Sequence, residues 1–191
     1  MPFANDDSDY HKRALIHILR MAYSGEKSAG YAYNAHWRSI KNVEQKQRIQ
    51  QIENEEWAHR QIVGQMLSHL GAKPQTWREV MQAMIGRTAG FACYITGWFL
   101  PMYFAGRLES ANIKEYEAAS YHAEKLSLTQ FAAELTRLSL VEKEHELFFL
   151  EMVRKHPFLP IIRAFLKWGP SPLAEQISIK SSINSKNDYS L

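Results

Sequence analysis

Along most of the chain apolar residues return every three or four positions, and strong helix formers fill long stretches. That pattern predicts helices throughout. A first helix is expected from a cap among Asp6, Asp7 and Ser8 to about Ile40, its helical spacing beginning at Ala14. A break at Lys41-Asn42 leads into a second helix over about 43–70, closed by Gly71 with Pro74 just beyond. A short helix over 76–86 follows. The stretch TAGFACYITGWFLPMYFAG, Thr88 to Gly106, carries no charge and touches the lower length limit of a transmembrane helix. Two internal glycines and Pro101 interrupt it, and it runs on into the polar RLESANIKEYEAA. A buried or membrane-touching helix ending near Lys125 is therefore expected rather than a span. A last core helix is expected over about 128–155, stopped by His156-Pro157. FLPIIRAFLKWG, Phe158 to Gly169, is apolar on one side and carries Arg163 and Lys167. It reads equally as a helix on a membrane surface and as one packed on the bundle. Residues 1–170 are read as one domain. The Ser-, Asn- and Lys-rich 171–191 is read as a flexible tail.

Composition narrows the function. The 191 residues suit one domain with a substantial core. A net charge of only +3, with no focused basic stripe, argues against nucleic acid as a partner. The single cysteine, Cys93, excludes an intramolecular disulfide framework and fits a reducing compartment. MPFANDDSDYHKR holds no apolar run and is not read as a secretory signal. The expected location is cytoplasmic, peripheral on the inner face of a membrane.

The chemistry begins with two Glu-x-x-His pairs, Glu56/His59 and Glu142/His145. Positions i and i+3 share a helix face, so each pair can offer an oxygen and a nitrogen to one metal. Taken singly, such a pair is most often a solvated surface feature. Two further glutamates change the picture. Glu26 and Glu109 each have a tyrosine seven residues on, Tyr33 and Tyr116, and a seven-residue step stays on one helical face. Met66 and Met152 each lie ten residues after the glutamate of a Glu-x-x-His pair. The chain thus reads as a repeated hairpin. Counted from the turns, Glu26 and Glu56 sit at nearly one level, roughly 20 Å from the first turn at 1.5 Å per residue. Glu109 and Glu142 match about the second turn in the same way.

Four glutamates and two histidines therefore meet in one layer. That is the constellation of ferritin-like di-iron and di-manganese four-helix bundles. The expected fold is all-α, a ferritin-like four-helix bundle of two helical hairpins with extra short helices. Buried together without metal, four carboxylates would repel and take up protons; two divalent cations neutralise them. Oxygen with imidazole nitrogen suits two iron ions, with manganese as the alternative. Glu115 and Glu117 compete with Glu109, and Glu53 and Glu55 with Glu56, but none has a counterpart in the repeat. Tyr33 and Tyr116 are candidate catalytic groups that either hydrogen-bond beside the site or pack in the core. Met66 and Met152 read as core filler. His11, His17, His36 and His69 read as peripheral surface histidines, and His122 as a non-ligand.

The blocks LRMAYSGEKSAGYAY, NEEWAHRQIVGQML, TAGFACYITGWFLPMYFAGRLESANIKEY and VEKEH resemble, in order, those of the demethoxyubiquinone hydroxylase family, over about residues 12–155. The resemblance implies a ferritin-like di-iron monooxygenase that hydroxylates a prenylated quinone ring at a membrane surface in ubiquinone biosynthesis. The ligands it implies are Glu26, Glu56, His59, Glu109, Glu142 and His145. The chain departs from the family at Glu115-Tyr116, where His-Tyr is usual, at Tyr23-Ser24, where His-Ala is usual, and after Pro157. These departures bear on the substrate rather than on the metal.

The expected activity is a di-iron oxygenase acting with O2 on an apolar, quinone-like substrate. Gly90 to Phe104, with Trp98, Phe99, Tyr103 and Phe104, is the candidate substrate channel; plain core is the equal alternative. No Gly-x-Gly-x-x-Gly is present, so electrons must come from an external donor. The other expected partners are a membrane surface and a second copy of the chain as a homodimer. Two alternatives remain. One is a ferritin-like iron-handling or peroxide-reducing protein without an organic substrate, against which the lack of cysteine pairs counts. The other is a non-catalytic helical scaffold that has kept its carboxylates.

Overall fold

The computed structural model describes residues 3–169. Its six helices are α1 (Phe3–Ser39), α2 (Val43–His69), α3 (Thr76–Ile95), α4 (Phe99–Lys125), α5 (Thr129–Val153) and α6 (Leu159–Leu166), and no strand occurs among the described residues. The protein is an all-α bundle. Among the described residues, no helix is long and apolar enough to cross a membrane. The tail expected from Ser171 lies outside the described residues.

The four long helices form two antiparallel hairpins, α1–α2 and α4–α5, packed with α1 against α4 and α2 against α5. The turns follow from local chemistry. Asn42 caps α2 with its Oδ1, which accepts the Gln45 N–H at 2.9 Å. Gly71 takes a φ of 70° after α2, while the Ala72 N–H closes onto the Leu67 carbonyl at 2.9 Å. The first helix starts at Phe3, earlier than expected. Asp6, Asp7 and Ser8 therefore lie within its opening turns instead of capping it.

The uncharged stretch is the main departure from the sequence reading. It is not one helix, and the short helix expected over 76–86 runs on to Ile95. The chain breaks at Gly97, which takes a φ of 75°. Pro101 does not interrupt either; it sits in the first turn of α4, where its missing N–H has no intrahelical partner to lose. Gly90 marks a close approach rather than a break. A Cβ there would stand 2.7 Å from that of Ala35, and one on Gly86 would collide with the Ser28 carbonyl. These two glycines let α3 lie directly on α1. Glu79 fastens the start of α3, accepting from Arg60 Nη2 at 2.6 Å and from Lys27 at 3.2 Å.

The core has two apolar clusters. One contains Leu15, Leu19, Val63, Leu67, Ala119, Leu135 and Leu138; the other contains Ile49, Ile52, Phe99, Met102, Tyr103, Phe149 and Val153. Each buried Leu, Ile, Val, Met or Phe among them contributes about 1.5–3 kcal/mol. On each of the four hairpin helices the stretch between the two clusters carries a buried glutamate: Glu26, Glu56, Glu109, Glu142. Past α6, Trp168 packs over Gly106, accepts from the Tyr103 hydroxyl through its carbonyl at 2.8 Å, and donates its indole N–H to Glu146 at 3.1 Å.

Candidate metal centre

The layer between the two clusters brings together all six residues singled out by the repeat. Glu56, Glu109, Glu142 and His145 are completely buried; Glu26 and His59 are nearly so. One donor atom each from Glu26, Glu56, His59 and Glu142 lies within 4.8 Å of the other three. The same holds for Glu56, Glu109, Glu142 and His145. The two sets share Glu56 and Glu142. Each set thus draws one carboxylate from its own α1 or α4, one Glu-x-x-His pair from α2 or α5, and the glutamate of the opposite pair.

The electrostatics of this layer are unfavourable without a cation. Burial raises the Glu26 carboxyl above its ordinary range, and Glu142's charge adds to this. Burial pushes Glu56 and Glu109 well up, with the charge of Glu142 next in weight. Burial acts on Glu142 too, but the adjacent His145 imidazole and a hydrogen bond from His59 outweigh it and hold that carboxyl down. The His59 Nδ1–Glu142 Oε1 distance is 2.9 Å. Even so, Glu26 Oε2, both oxygens of Glu56, Glu142 Oε2 and His145 Nδ1 are buried without a hydrogen-bond partner. Orphaned polar atoms are costly inside a protein. Here they belong to members of the two sets and converge on one small volume. The cluster can hold a metal ion, and a hard or borderline divalent cation suits its oxygen and imidazole donors.

Three groups hold the cluster from outside. The Tyr33 hydroxyl donates to Glu109 Oε1 and the Tyr116 hydroxyl to Glu26 Oε1. Each tyrosine therefore serves the glutamate of the other hairpin. Burial first, and the neighbouring Glu109 or Glu26 next, pushes both phenols well up, so they remain donors. The third group is Glu55, which accepts the His145 Nε2–H at 2.7 Å and is itself held by Arg48 and Gln51. This fixes the ring so that Nδ1 faces the cluster, 3.2 Å from Glu56 Oε1.

Sequence reasoning dismissed Glu55 as a rival of Glu56. Adjacent residues diverge by about 100° around a helix, which turns Glu55 toward the outer nitrogen of His145 instead. The need of a ligating histidine for an outer carboxylate was the available signal. The histidines also need correction. His36 is not peripheral: it is 2% exposed, stacked near Phe149, and burial pulls its imidazole down to about 4. Its spacing of three from Tyr33 put it on the same inward stripe. His11 is likewise buried, its Nδ1 2.8 Å from that of His122, at the far end of α4 from the cavity described next. Met66 is buried in the core as expected.

A cavity of about 260 Å3 opens between α1, α3 and the start of α4. Its walls include Tyr33, His36, Ala105 and Leu108, the last adjacent to Glu109. Of the aromatic residues expected to form a channel, only Phe104 lines it; Phe99 and Tyr103 are core and Trp98 is exposed. Next to it runs a more polar groove with Arg78, Arg107 and Glu115. Burial, reinforced by the charge of Glu26, pushes the Glu115 carboxyl up to about 7. Comparison with models of known protein families, with curated proteins and with solved structures finds no match to this chain.

Proposed function

We propose that the protein is a ferritin-like di-iron oxygenase, similar to the demethoxyubiquinone hydroxylases, that hydroxylates an apolar, quinone-like substrate. The observation that carries this reading is the overlap of two four-residue donor sets at Glu56 and Glu142, with unpartnered buried donor atoms aimed at one volume. Glu26, Glu56 and His59 would hold one ion and Glu109, Glu142 and His145 the other, with Glu56 and Glu142 shared. When bound, the pair of ions would supply activation of dioxygen; manganese is the alternative metal. The reaction takes one O2, two electrons and two protons per substrate, putting one oxygen atom on carbon and releasing the other as water. The electrons come from an external donor.

The chain's own part is positioning. Tyr33 and Tyr116 lock Glu109 and Glu26, and Glu55 aims His145. The cavity beside Tyr33 keeps a hydrophobic molecule next to the cluster and away from bulk water. Its alanine, leucine and phenylalanine lining favours an organic substrate over the iron-handling alternative, which calls for a hydrated path. The apolar side chains Trp77, Met84, Phe91 and Ile95 stand exposed along one side of α3, and Phe158, Ile161 and Phe165 around α6. This supports a peripheral membrane position from which such a substrate could enter.

The test is metal content of protein from iron-supplemented cells, with Glu56→Ala and Glu142→Ala alongside. About two irons per chain are expected, lost in both variants, followed by oxygen-dependent hydroxylation of quinol-like compounds. Folded protein that takes up no metal would end this reading.

A further inference from the structure

The cavity between α1, α3 and α4 contains few polar groups, and nearly all are engaged. The Tyr33 hydroxyl donates to Glu109. Thr96 Oγ1 donates to the Ala92 carbonyl at 2.9 Å, and Cys93 Sγ to the Ala89 carbonyl at 3.3 Å. His36 is the exception. It lines the cavity, is 2% exposed, and its Nε2 is buried with no hydrogen-bond partner among the described residues. The ring lies nearly parallel to Phe149, at 13°, and to Tyr33, at 28°. Its faces serve packing, and only its edge is left for a polar partner. Burial keeps the imidazole neutral at pH 7. A neutral imidazole has one N–H to donate and one lone pair to accept, so it can bind either a hydroxyl or a carbonyl.

We propose that this cavity binds an apolar molecule bearing one hydroxyl or carbonyl oxygen, and that His36 is the residue that recognises the oxygen. That the bound molecule is the substrate rests on the oxygenase reading; the binding itself does not. The space of about 260 Å3 admits a substituted ring, since a dry cavity of about 150 Å3 holds benzene. His36 lies one helical turn from Tyr33, on the side away from Glu26. Anchoring there fixes which end of the molecule points toward the acidic cluster, so His36 acts as a specificity-determining and positioning residue.

The test uses 4-propylphenol and propylbenzene, which differ by one hydroxyl, on the full chain without reductant so that nothing turns over. Lacking a partner inside, the phenol would bind more weakly than the hydrocarbon, because its hydroxyl would leave water uncompensated. In the native protein the phenol is expected to bind at least as tightly as the hydrocarbon. His36→Phe keeps the stacked ring and should weaken the phenol about tenfold while holding propylbenzene within about twofold. His36→Gln, which keeps a donor and an acceptor, should restore part of the phenol affinity. In 15N-histidine spectra of the native protein the phenol, but not propylbenzene, should shift the His36 Nε2 resonance. A phenol-to-hydrocarbon ratio unchanged by His36→Phe, no binding of either probe, or an unshifted His36 resonance at saturation would each overturn the proposal; the last needs no variant to fold. Iron measured on the same samples separates the two readings. Discrimination without metal would sink the oxygenase and leave this site standing; metal without discrimination would do the reverse.

Discussion

The two ends of the bundle, on either side of the acidic layer, share one plan and are filled differently. The register that pairs Glu26 with Glu109 and Tyr33 with Tyr116 sets His36 opposite Ala119. The register that pairs Glu56 with Glu142 sets Phe149 opposite Val63. At the Tyr116 end, Ala119 and Val63 are completely buried in a continuous apolar cluster with Leu135 and Leu138. At the Tyr33 end, His36 and Phe149 stack beside a cavity walled by α3 and α4. The duplicated residues build the layer; the unduplicated ones leave a cavity beside one end and a closed apolar core at the other.

The layer common to both ends should give the largest effect. Glu26, Glu56 and Glu109 have carboxyls raised by burial in the folded chain. Such groups bind protons more tightly folded than unfolded. Their contribution is fully present below the ordinary value of 4.5 and is lost as pH rises through the raised values. Metal-free protein should therefore lose denaturant stability from pH 5 toward pH 8, and added metal should reverse that loss most strongly at the upper end. Stability that climbs with pH in the metal-free form would contradict the charge assignment.

The contrast in filling comes next. Ala119→His should cost about 4 kcal/mol, because it overpacks a closed site and buries an unpartnered imidazole. His36→Ala should cost about 2 kcal/mol, since the loss of stacking on Phe149 and Tyr33 is partly offset by removing an unpartnered imidazole. Equal costs in chemical denaturation would erase the distinction between the ends.

The pH response of the His36 end is third. Its folded value is depressed to about 4 from 6.5, so its contribution is present above 6.5 and lost as pH falls toward 4. Compared with His36→Phe, the native protein should lose up to about 3 kcal/mol across that window. A parallel pH profile for the two proteins would show His36 to be solvated.

The asymmetry between the histidines is smaller. Glu55 supports His145, and the matching position in the other hairpin is Val141. Glu55→Gln should lower metal affinity about 10- to 100-fold at the His145 half alone, seen as two well-separated steps in a chelator titration. A single unshifted step would deny Glu55 this role. Last, Tyr33→Phe and Tyr116→Phe each remove one hydrogen bond to a glutamate and should destabilise by about 1 kcal/mol alike. Thermal melts that differ strongly between them would break the equivalence of the two halves.

The cluster was legible in the sequence because duplication makes a weak signal specific. One Glu-x-x-His says little; two, each with a glutamate and tyrosine at matching offsets, fixed the six residues that meet. Residues present in only one copy were invisible to the same reasoning. Glu55 and His36 have Val141 and Ala119 as counterparts, so the repeat that marks the six clustered residues leaves both unmarked. The uncharged stretch was misread for a different reason. Gly90 and Gly97 look alike in sequence, yet one stays inside a helix because α1 needs the room, and the other turns the chain. Only the position of α1 separates them. The helix ends near Asn42 and Gly71 were readable because their determinants are local.

The crossed tyrosines have a consequence for how the molecule opens. Because Tyr33 clasps Glu109 and Tyr116 clasps Glu26, neither hairpin can swing away without stripping a partner from both. Partial opening along the seam between the hairpins is thereby discouraged. Amide protons in the middle turns of α1, α2, α4 and α5 should exchange with solvent at one shared free energy, that of global unfolding, while α6 exchanges sooner. The acidic waist, the least stable layer in electrostatic respects, is thus also the layer that ties each hairpin to the other.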